Sequence, residues 1–138
     1  PESGTQMPLE AKELPTVRVV DNTNWQRVHR AMVNVVHSPT GTARGINRHL
    51  PYTIAGKTGT AQVFGIKQDE EYVAEEIAKH LRDHALFVGF APAEKPRIAI
   101  AVIVQNGGGG GAVAAPIARK VMETYLLDDT GHLREEFK

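Results

Sequence analysis

Residues 54–63 of the chain read Ile-Ala-Gly-Lys-Thr-Gly-Thr-Ala-Gln-Val, a polar centre between β-forming ends. This pattern predicts a short strand. Successive side chains of a strand point to opposite faces, so Lys57 and Gly59 share one face while Thr58 and Thr60 share the other. Gly59 also lets another group come close to the backbone. The segment is therefore a candidate site with a cation and two hydroxyls, and the alternative is an ordinary edge strand whose polar side chains face water.

The same segment contains Gly56-Lys57-Thr58, which is how a P-loop ends. A P-loop also needs a second glycine five residues before the one that precedes the lysine. That position, five residues before Gly56, is Pro51. A strand should precede such a loop, and residues 48–51 (Arg-His-Leu-Pro) form strands poorly. We therefore predict no nucleotide site here.

The composition is that of one globular domain. The 138 residues are 41% hydrophobic and 23% charged, which is enough to bury a core. The 16 basic and 16 acidic residues balance, so no net field favours nucleic acid or an anionic membrane. No apolar run approaches the roughly 20 residues of a transmembrane helix, and no signal peptide is present. Any membrane attachment is expected outside this sequence, and the absence of cysteine excludes disulfides and thiolate chemistry.

Two apolar runs follow the polar segment, at residues 85–90 and 98–104. The turn between them is too short for a crossover helix, which predicts that the two strands are antiparallel neighbours. Neither run alternates polar and apolar residues. We therefore expect an α+β fold in which helices cover both faces of an antiparallel sheet.

Two amphipathic helices are predicted, over residues 24–37 and 112–127, because apolar residues recur there three and four positions apart. The first stripe comprises Trp25, Val28, Met32, Val35 and Val36, and the second comprises Val113, Ile117, Val121, Met122 and Tyr125. Side chains of the turn at residues 21–23 are expected to cap the first helix. Residues 1–20 and 128–138 are expected to be loop or frayed, apart from a short extended piece at Val17, Val19 and Val20.

Several basic side chains lie near the polar strand. His29 and His37 fall on the first helix and are expected to be solvated or helix-end residues, because neither has an acidic or histidine partner four residues on. Arg44, Arg48 and His49 lie in the turn-rich link before the strand. We interpret this link as a solvated loop, and the alternative is that it borders an anion-binding cleft.

The segment 69–84 is charged and has helical spacings. On a helix, Glu76, His80 and His84 would share one face, which could bind zinc. The segment lacks the His-Glu-x-x-His pattern of zinc hydrolases, so we favour a solvated helix.

A glycine run, residues 107–111, separates the second apolar run from the last helix. Gly107-x-Gly109-x-x-Ala112 fits a dinucleotide fingerprint, with acidic residues about 20 positions on. Any run of five glycines satisfies this spacing, and no further strand follows to complete a βαβ unit. A flexible strand-to-helix joint is the favoured interpretation.

The combined motifs resemble the C-terminal part of the transpeptidase domain of class B penicillin-binding proteins. The family signature includes Lys-Thr-Gly beside Ser-x-x-Lys and Ser-x-Asn. The matching segments here are Gly41-Thr42-Ala43, Ala55-Gly56-Lys57-Thr58-Gly59-Thr60-Ala61-Gln62 and Phe87-Val88-Gly89-Phe90-Ala91-Pro92. The resemblance covers roughly residues 21–127, and it implies a penicillin-binding, serine β-lactamase-like fold.

The two serine motifs of that signature are absent from the sequence. Ser3 and Ser38 are the only serines, and neither begins Ser-x-x-Lys or Ser-x-Asn. In the family these motifs come earlier in the chain. We therefore expect residues 1–138 to be the C-terminal portion of such a domain, inactive alone, with the nucleophile, the first strands and a membrane anchor outside it.

The resemblance implies a role for each residue of the polar strand. Lys57 would be the cation that assists proton transfer, and Thr60 would give its backbone N–H to the oxyanion hole. Thr58 would bind the substrate's terminal carboxylate, and Gly59 would keep the strand open to a substrate that pairs with it. No cofactor or metal is implied.

The activity implied is serine-type peptidoglycan D,D-transpeptidation, which β-lactams inhibit. The implied partners are the D-Ala-D-Ala stem peptide, β-lactam antibiotics, the rest of the same domain and the cell-elongation machinery, with no nucleic acid. The implied location is the periplasmic face of the bacterial inner membrane. The alternatives are a serine β-lactamase-like hydrolase of the same fold and a non-enzymatic nucleotide- or partner-binding domain.

Overall fold

The computed structural model describes residues 15–21, 23–63 and 79–138. The regular elements of these residues are, in chain order, α1 (Thr23–His37), β1 (Ala55–Ala61), β2 (His84–Ala91), β3 (Ile98–Val104) and α2 (Ala114–Leu126). Short 3-10 helices lie at Arg44–Ile46, Lys79–Leu81 and Glu135–Phe137. The predicted order of helices and strands and the α+β class are confirmed.

The three strands form one antiparallel sheet in the order β1-β2-β3. β1 pairs with β2 along its whole length, so that Thr58 lies opposite Phe87 and Gly59 lies opposite Leu86. β3 pairs with the other side of β2, as the short turn between them predicts. Among the described residues no strand pairs with the outer edge of β1, so the Lys-Thr-Gly-Thr strand lies at the edge of the sheet.

The two faces of the sheet differ in burial. Ala85 and Phe87 are fully buried on the face that α2 covers. Val88 and Ile103 point to the opposite face and are 46% and 70% exposed. On that face the His29 ring of α1 lies 5.8 Å from the ring of Phe90. Helices therefore contact both faces, but within the described residues the second face is covered only in part.

Two glycines make room for the largest buried side chain. Gly56 and Gly89 are partners across β1 and β2. A Cβ at Gly56 would lie 2.4 Å from Cζ of Phe87, and one at Gly89 would lie 2.9 Å from its Cε1. The Phe87 ring therefore packs over a cross-strand glycine pair, and the first glycine of the Gly-Lys-Thr-Gly segment serves the core.

Helix α1 begins at a polar cap, as predicted. The Asp21 carboxylate accepts hydrogen bonds from the Thr23 backbone N–H at 2.8 Å and from the Thr23 hydroxyl at 2.6 Å. The hydroxyl bond holds the pKa of the Asp21 carboxyl below its usual range. Only the C-terminal part of the predicted stripe is buried, at Val36, whereas Trp25 and Val28 are about half exposed.

Helix α2 buries only part of the predicted stripe: Met122 is buried as predicted and Val113 packs against the core. The buried side chains are Ala114, Ala115, Ala118, Met122 and Leu126. Ile117, Val121 and Tyr125, which we expected in the core, are each 44–47% exposed. Small residues allow the helix to approach the sheet closely, so packing distance rather than residue size decided which face turned inward.

Residues 128–138 are turn-rich, as expected, but they pack against the protein instead of fraying. Leu127 pairs with Leu133 in an antiparallel bridge. The Arg134 guanidinium donates to the Leu127 carbonyl at 3.0 Å, which satisfies a carbonyl left free at the end of α2. The Phe137 ring lies 5.1 Å from that of Tyr125. These contacts were not visible from the polar composition of the segment.

Two other local predictions meet a different structure. Residues 15–19 are mostly exposed and irregular, so the short extended piece there is not a strand; residues 1–14 lie outside the described residues. Residues 69–78 of the predicted helix lie outside the described residues, and its predicted end is wrong, because a 3-10 turn at Lys79–Leu81 leads into β2 at His84. In the part of the chain that the structure describes, no helix is both long and apolar enough to span a bilayer.

Candidate active site

Strand β1 presents all four candidate residues at the edge of the sheet. Lys57 and Thr60 are exposed, and Thr58 and Gly59 are half-buried. Because cross-strand partners share a face, Thr58 and Thr60 lie on the face of Phe87, and Lys57 and Gly59 lie on the other. The predicted partition of the side chains between two faces is confirmed.

Among the described residues, the Lys57 ammonium is held by its own strand. Its Nζ donates to the Thr58 carbonyl at 2.5 Å. The ion pairs between described residues are those of Arg119 with Glu123 and of Lys138 with Glu135, so no described carboxylate neutralises Lys57. Its charge is therefore available to an anion at the strand edge.

The Thr58 hydroxyl has a partner from outside the strand. Oγ1 of Thr58 lies 2.8 Å from Oγ1 of Thr42, 16 residues earlier in the chain. One hydroxyl donates and the other accepts, which fixes the direction in which each presents its remaining hydrogen or lone pairs. Sequence reasoning missed this role of Thr42. The motif Gly41-Thr42-Ala43 drew notice only as part of the resemblance.

The turn that carries Thr42 is tied to the end of α1. The Ala43 N–H donates to the Val35 carbonyl at 2.9 Å, and the Gly41 N–H donates to the Ser38 carbonyl at 2.9 Å. A Cβ at Gly41 would lie 2.3 Å from the Val35 carbonyl oxygen, so glycine is needed for this close approach. The position of Thr42 is therefore fixed by the backbone hydrogen bonds of its turn.

The two histidines of α1 also hold backbone groups. Nε2 of His37 accepts the Ile54 N–H at 3.0 Å, which ties the end of α1 to the residue just before β1. Nε2 of His29 donates to the Ala93 carbonyl at 2.8 Å. His37 ends the helix as predicted, but neither side chain is simply solvated. Both position the chain around the strand.

Comparison with known proteins identifies the family. The model of the penicillin binding protein transpeptidase domain matches residues 8–123. The chain belongs to this family. Peptidoglycan D,D-transpeptidase MrdA of Escherichia coli is 41% identical over 130 residues, which cover 94% of this chain and 20% of that protein. The chain thus spans about a fifth of the curated relatives it matches.

Solved structures of the family agree with the fold. The crystal structure of Pseudomonas aeruginosa PBP2 in complex with WCK 5153 superposes with a TM-score of 0.76 at 45% identity, over 96% of this chain and 26% of that chain. The complex between PBP2 and MreC from Helicobacter pylori gives a TM-score of 0.60 at 30% identity, over 75% of this chain and 17% of that chain. The resemblance to class B members, and to penicillin-binding protein 2 among them, is confirmed.

The basic link before β1 of this transpeptidase-family chain is a solvated loop, which was the favoured interpretation. Arg44 donates from Nη1 to the Pro39 carbonyl at 3.1 Å. Arg48 and His49 are exposed, and His49 adopts a positive φ of 55°. Among the described residues none of these three side chains contacts Lys57, so the strand's partner from this link is Thr42 and not a basic side chain.

The zinc alternative loses its helical face. His84 lies in β2, where its Nδ1 accepts the Asn106 N–H at 3.0 Å, and His80 lies in the preceding 3-10 turn. Glu76 is outside the described residues. No cluster of three or more metal-ligating side chains occurs within residues 15–21, 23–63 and 79–138.

The dinucleotide alternative fails on the geometry of the glycine run. Helix α2 begins at Ala114, not at Ala112, and it follows a strand of an antiparallel sheet. Gly108 and Gly110 are buried. A pyrophosphate needs free N–H groups at an open helix start, and here the protein's own backbone occupies that space.

Proposed function

We propose that the chain is the Lys-Thr-Gly-bearing part of a serine peptidoglycan D,D-transpeptidase. The observation that carries the proposal is the edge strand β1, with Lys57, which no carboxylate among the described residues neutralises, on one face and the Thr58 and Thr60 hydroxyls on the other. Family membership and the D,D-transpeptidase relatives support the reaction class. The nucleophilic serine lies outside this sequence, since neither Ser3 nor Ser38 begins Ser-x-x-Lys.

The substrate class follows from the groups on the strand. A D-Ala-D-Ala stem peptide ends in a carboxylate, which a cation and a hydroxyl bind by charge-assisted hydrogen bonds. Thr58 binds this carboxylate directly, and Lys57 supplies positive potential beside it. The free edge of β1 accepts the peptide backbone as an added strand, and Gly59 keeps that approach open.

The acyl-transfer step needs donors for the oxyanion. The serine attacks the penultimate D-Ala carbonyl, whose oxygen gains negative charge as the tetrahedral intermediate forms. The Thr60 backbone N–H is one donor to this oxygen, and the N–H of the nucleophile is the other. Lys57 assists the transfer of the serine proton to the departing D-Ala amine. A second stem-peptide amine then accepts the acyl group and releases the serine.

The same groups account for inhibition and for partners. A β-lactam carries an equivalent carboxylate and acylates the same serine, so it competes for Thr58. The complex of PBP2 with MreC from H. pylori supports a partner in the cell-elongation machinery. The role in peptidoglycan synthesis supports action at the periplasmic face of the inner membrane.

The proposal is tested by acylation rates of the complete domain with a labelled penicillin. Each charge-assisted hydrogen bond is worth roughly 1.5 to 3 kcal/mol. Lys57→Ala is therefore expected to slow acylation at least about tenfold, because it also removes charge from the proton path. Thr58→Val removes one bond and should cost less, and Thr60→Ala keeps the backbone N–H and should cost least.

Lys120→Ala is the matched control, since it removes an exposed lysine from α2 and should leave the rate unchanged. A slower rate for Thr60→Ala than for Lys57→Ala, in folded variants, would contradict the assignment of the two faces. A lasting adduct supports a transpeptidase. Rapid turnover of the adduct would favour the β-lactamase-like hydrolase. The absence of any adduct would favour a non-enzymatic binding domain.

A further inference from the structure

The glycine run between β3 and α2 is fastened to the protein at both ends. Before it, the Asn106 side chain donates to the Arg82 carbonyl at 2.9 Å, and its backbone N–H donates to Nδ1 of His84 at 3.0 Å. Within it, the Gly108 N–H donates to the Asp83 carbonyl at 2.8 Å. Near its end, the Gly110 carbonyl accepts the N–H of Ala115 in α2 at 2.9 Å. The run is therefore a fixed part of the structure and not a slack joint.

Gly110 lies directly on the backbone of the candidate active-site strand. A Cβ at this position would lie 2.4 Å from the Gly59 carbonyl oxygen and 3.1 Å from its nitrogen. It would also lie 2.3 Å from the carbonyl oxygen of Leu86, the residue opposite Gly59 in β2. All three atoms are backbone atoms, so they cannot rotate away as the tip of a side chain can. No residue other than glycine fits here without a shift.

Gly111 touches the second component of the site. A Cβ at Gly111 would lie 2.1 Å from the Thr42 carbonyl oxygen and 3.6 Å from Cγ2 of Thr58. Thr42 and Thr58 are the two residues whose hydroxyls are hydrogen-bonded. The adjacent glycines thus contact the strand backbone and the turn that orients its carboxylate-binding hydroxyl.

We infer that Gly110 and Gly111 are positioning residues, which set the place of the Thr58–Gly59 backbone and of Thr42 relative to the sheet. The inference rests on the proposed function, in which Thr58 binds the substrate carboxylate and the Thr60 backbone N–H donates to the oxyanion. Gly59 is bonded directly to both Thr58 and Thr60, so a displacement of Gly59 moves both functional groups.

When a methyl group is added at Gly110, β1 moves and the glycine run does not. Leu86 belongs to the central strand, which is paired on both sides. Gly59 belongs to an edge strand, which is paired on one side only among the described residues. The glycine run is itself held by the bonds of Asn106, Gly108 and Gly110. A methyl group at Gly110 therefore pushes β1 outward at Gly59.

The test compares Gly110→Ala with Gly109→Ala in the complete domain. Gly109 is the matched control, since it is exposed and a Cβ there meets nothing within 4 Å. Displacement of reacting groups by about 1 Å can cost about a hundredfold in rate. Gly110→Ala is expected to lower the acylation rate by a penicillin about tenfold or more, whereas Gly109→Ala stays within about twofold of the parent.

A second measurement separates positioning from loss of fold. At long times the Gly110→Ala domain should still bind one labelled penicillin per chain, because every folded molecule reacts and only the rate is lower. Leu126→Ala, a core variant of α2, provides a destabilised comparison whose rate per folded molecule is unchanged. A Gly110→Ala rate equal to that of Gly109→Ala, or a loss of labelled fraction at an unchanged rate, would overturn the inference.

Hydrogen exchange of the peptide that spans β1 makes the inference independent of the chemistry. Gly110→Ala is expected to speed exchange at residues 58–61, and Gly109→Ala is not. If the parent domain takes no penicillin label, the proposed function fails and the exchange comparison still decides the positioning. If the parent is labelled but neither rate nor exchange responds to Gly110→Ala, only the inference fails.

Discussion

At the scale of single residues, the decisive contact is the one between two threonine hydroxyls. Thr58 is on the strand and Thr42 is on a turn, and their Oγ1 atoms are 2.8 Å apart. A hydroxyl has one hydrogen, so in a hydrogen bond between two hydroxyls one donates its hydrogen and the other can donate its own hydrogen to a third group. If Thr58 accepts from Thr42, the Thr58 hydrogen is free for a carboxylate. Thr42 then acts through Thr58 as a positioning residue.

Thr42→Val in the complete domain is expected to weaken acylation by a penicillin about fivefold, which corresponds to the roughly 1 kcal/mol of one net hydrogen bond. The loss should appear in the apparent dissociation constant more than in the saturating rate, because the carboxylate is a binding group. Thr40→Val removes a hydroxyl from the same turn and serves as the control, since among the described residues the Thr40 hydroxyl is bonded to Ser38 and not to the strand.

A double-mutant cycle decides whether the two threonines act together. With Thr58→Val already in place, Thr42→Val should cost almost nothing further, because its partner is gone. Independent losses that add in full would mean that Thr42 does not act through Thr58.

At the scale of elements, the C-terminal segment closes against the end of α2. Asp128 organises the turn that makes this possible, since its carboxylate accepts the Thr130 hydroxyl at 2.6 Å and the His132 N–H at 3.0 Å. The Thr130 hydroxyl is the main cause that lowers the pKa of the Asp128 carboxyl below its ordinary value of 3.8, with the His132 N–H next. The turn therefore depends on the ionised carboxylate.

Asp128→Ala is expected to speed hydrogen exchange in residues 128–137, because the turn that brings Leu133 to Leu127 loses its acceptor. Asp129→Ala is the matched control, as the Asp129 carboxylate makes no hydrogen bond with described residues. Equal protection in the two variants would show that the bridge holds the segment by itself.

The same contact predicts a direction with pH. A carboxyl whose pKa is lowered on folding stabilises the folded turn above its ordinary value of 3.8, and the stabilisation is lost as the pH falls through the folded pKa. The protection of this segment, measured as its exchange rate relative to an unstructured peptide at the same pH, should therefore fall below about pH 4 in the parent, and Asp128→Ala should abolish that fall.

At the scale of the whole molecule, the described residues form one side of a site. In the proposed function they supply a cation, a carboxylate-binding hydroxyl and a backbone donor, on a strand edge that is unpaired among these residues. The sequence contains no serine in a Ser-x-x-Lys setting, and acyl transfer cannot proceed without a nucleophile. The geometry of β1 thus serves chemistry that another part of the domain begins.

The 138-residue chain alone is accordingly expected to form no covalent adduct with a labelled penicillin, as measured by intact mass. The complete domain with the nucleophile present should gain the mass of one penicillin. An adduct on the isolated chain would mean that a nucleophile exists among its own residues, and digestion would locate it.

Local patterns predicted much of this protein. The strand at residues 85–90, the strand at 98–104 and the first helix are confirmed to within a few residues, because β-branched runs and helical spacing report on adjacent positions. The predicted stripe of α2 was right at Met122 but wrong at Ile117, since Ala118 lies inward and Ile117 outward. Which side of a helix is buried depends on how closely a neighbour packs, and the helix's own periodicity does not contain that distance.

The sequence by itself determined the family, the order of the elements and the division of Lys57 and Thr58 between two faces, because motif composition and strand alternation are local properties. Only the tertiary structure decided that Thr42 bonds Thr58, that Gly110 lies on Gly59 and that the C-terminal segment is packed. Thr42 and Thr58 are 16 positions apart, and Gly59 and Gly110 are about 50 positions apart. The packing of the C-terminal segment depends on a turn in which the Asp128 carboxylate is the acceptor. The distances in these contacts follow from how the sheet and its helices pack together, which no stretch of sequence records.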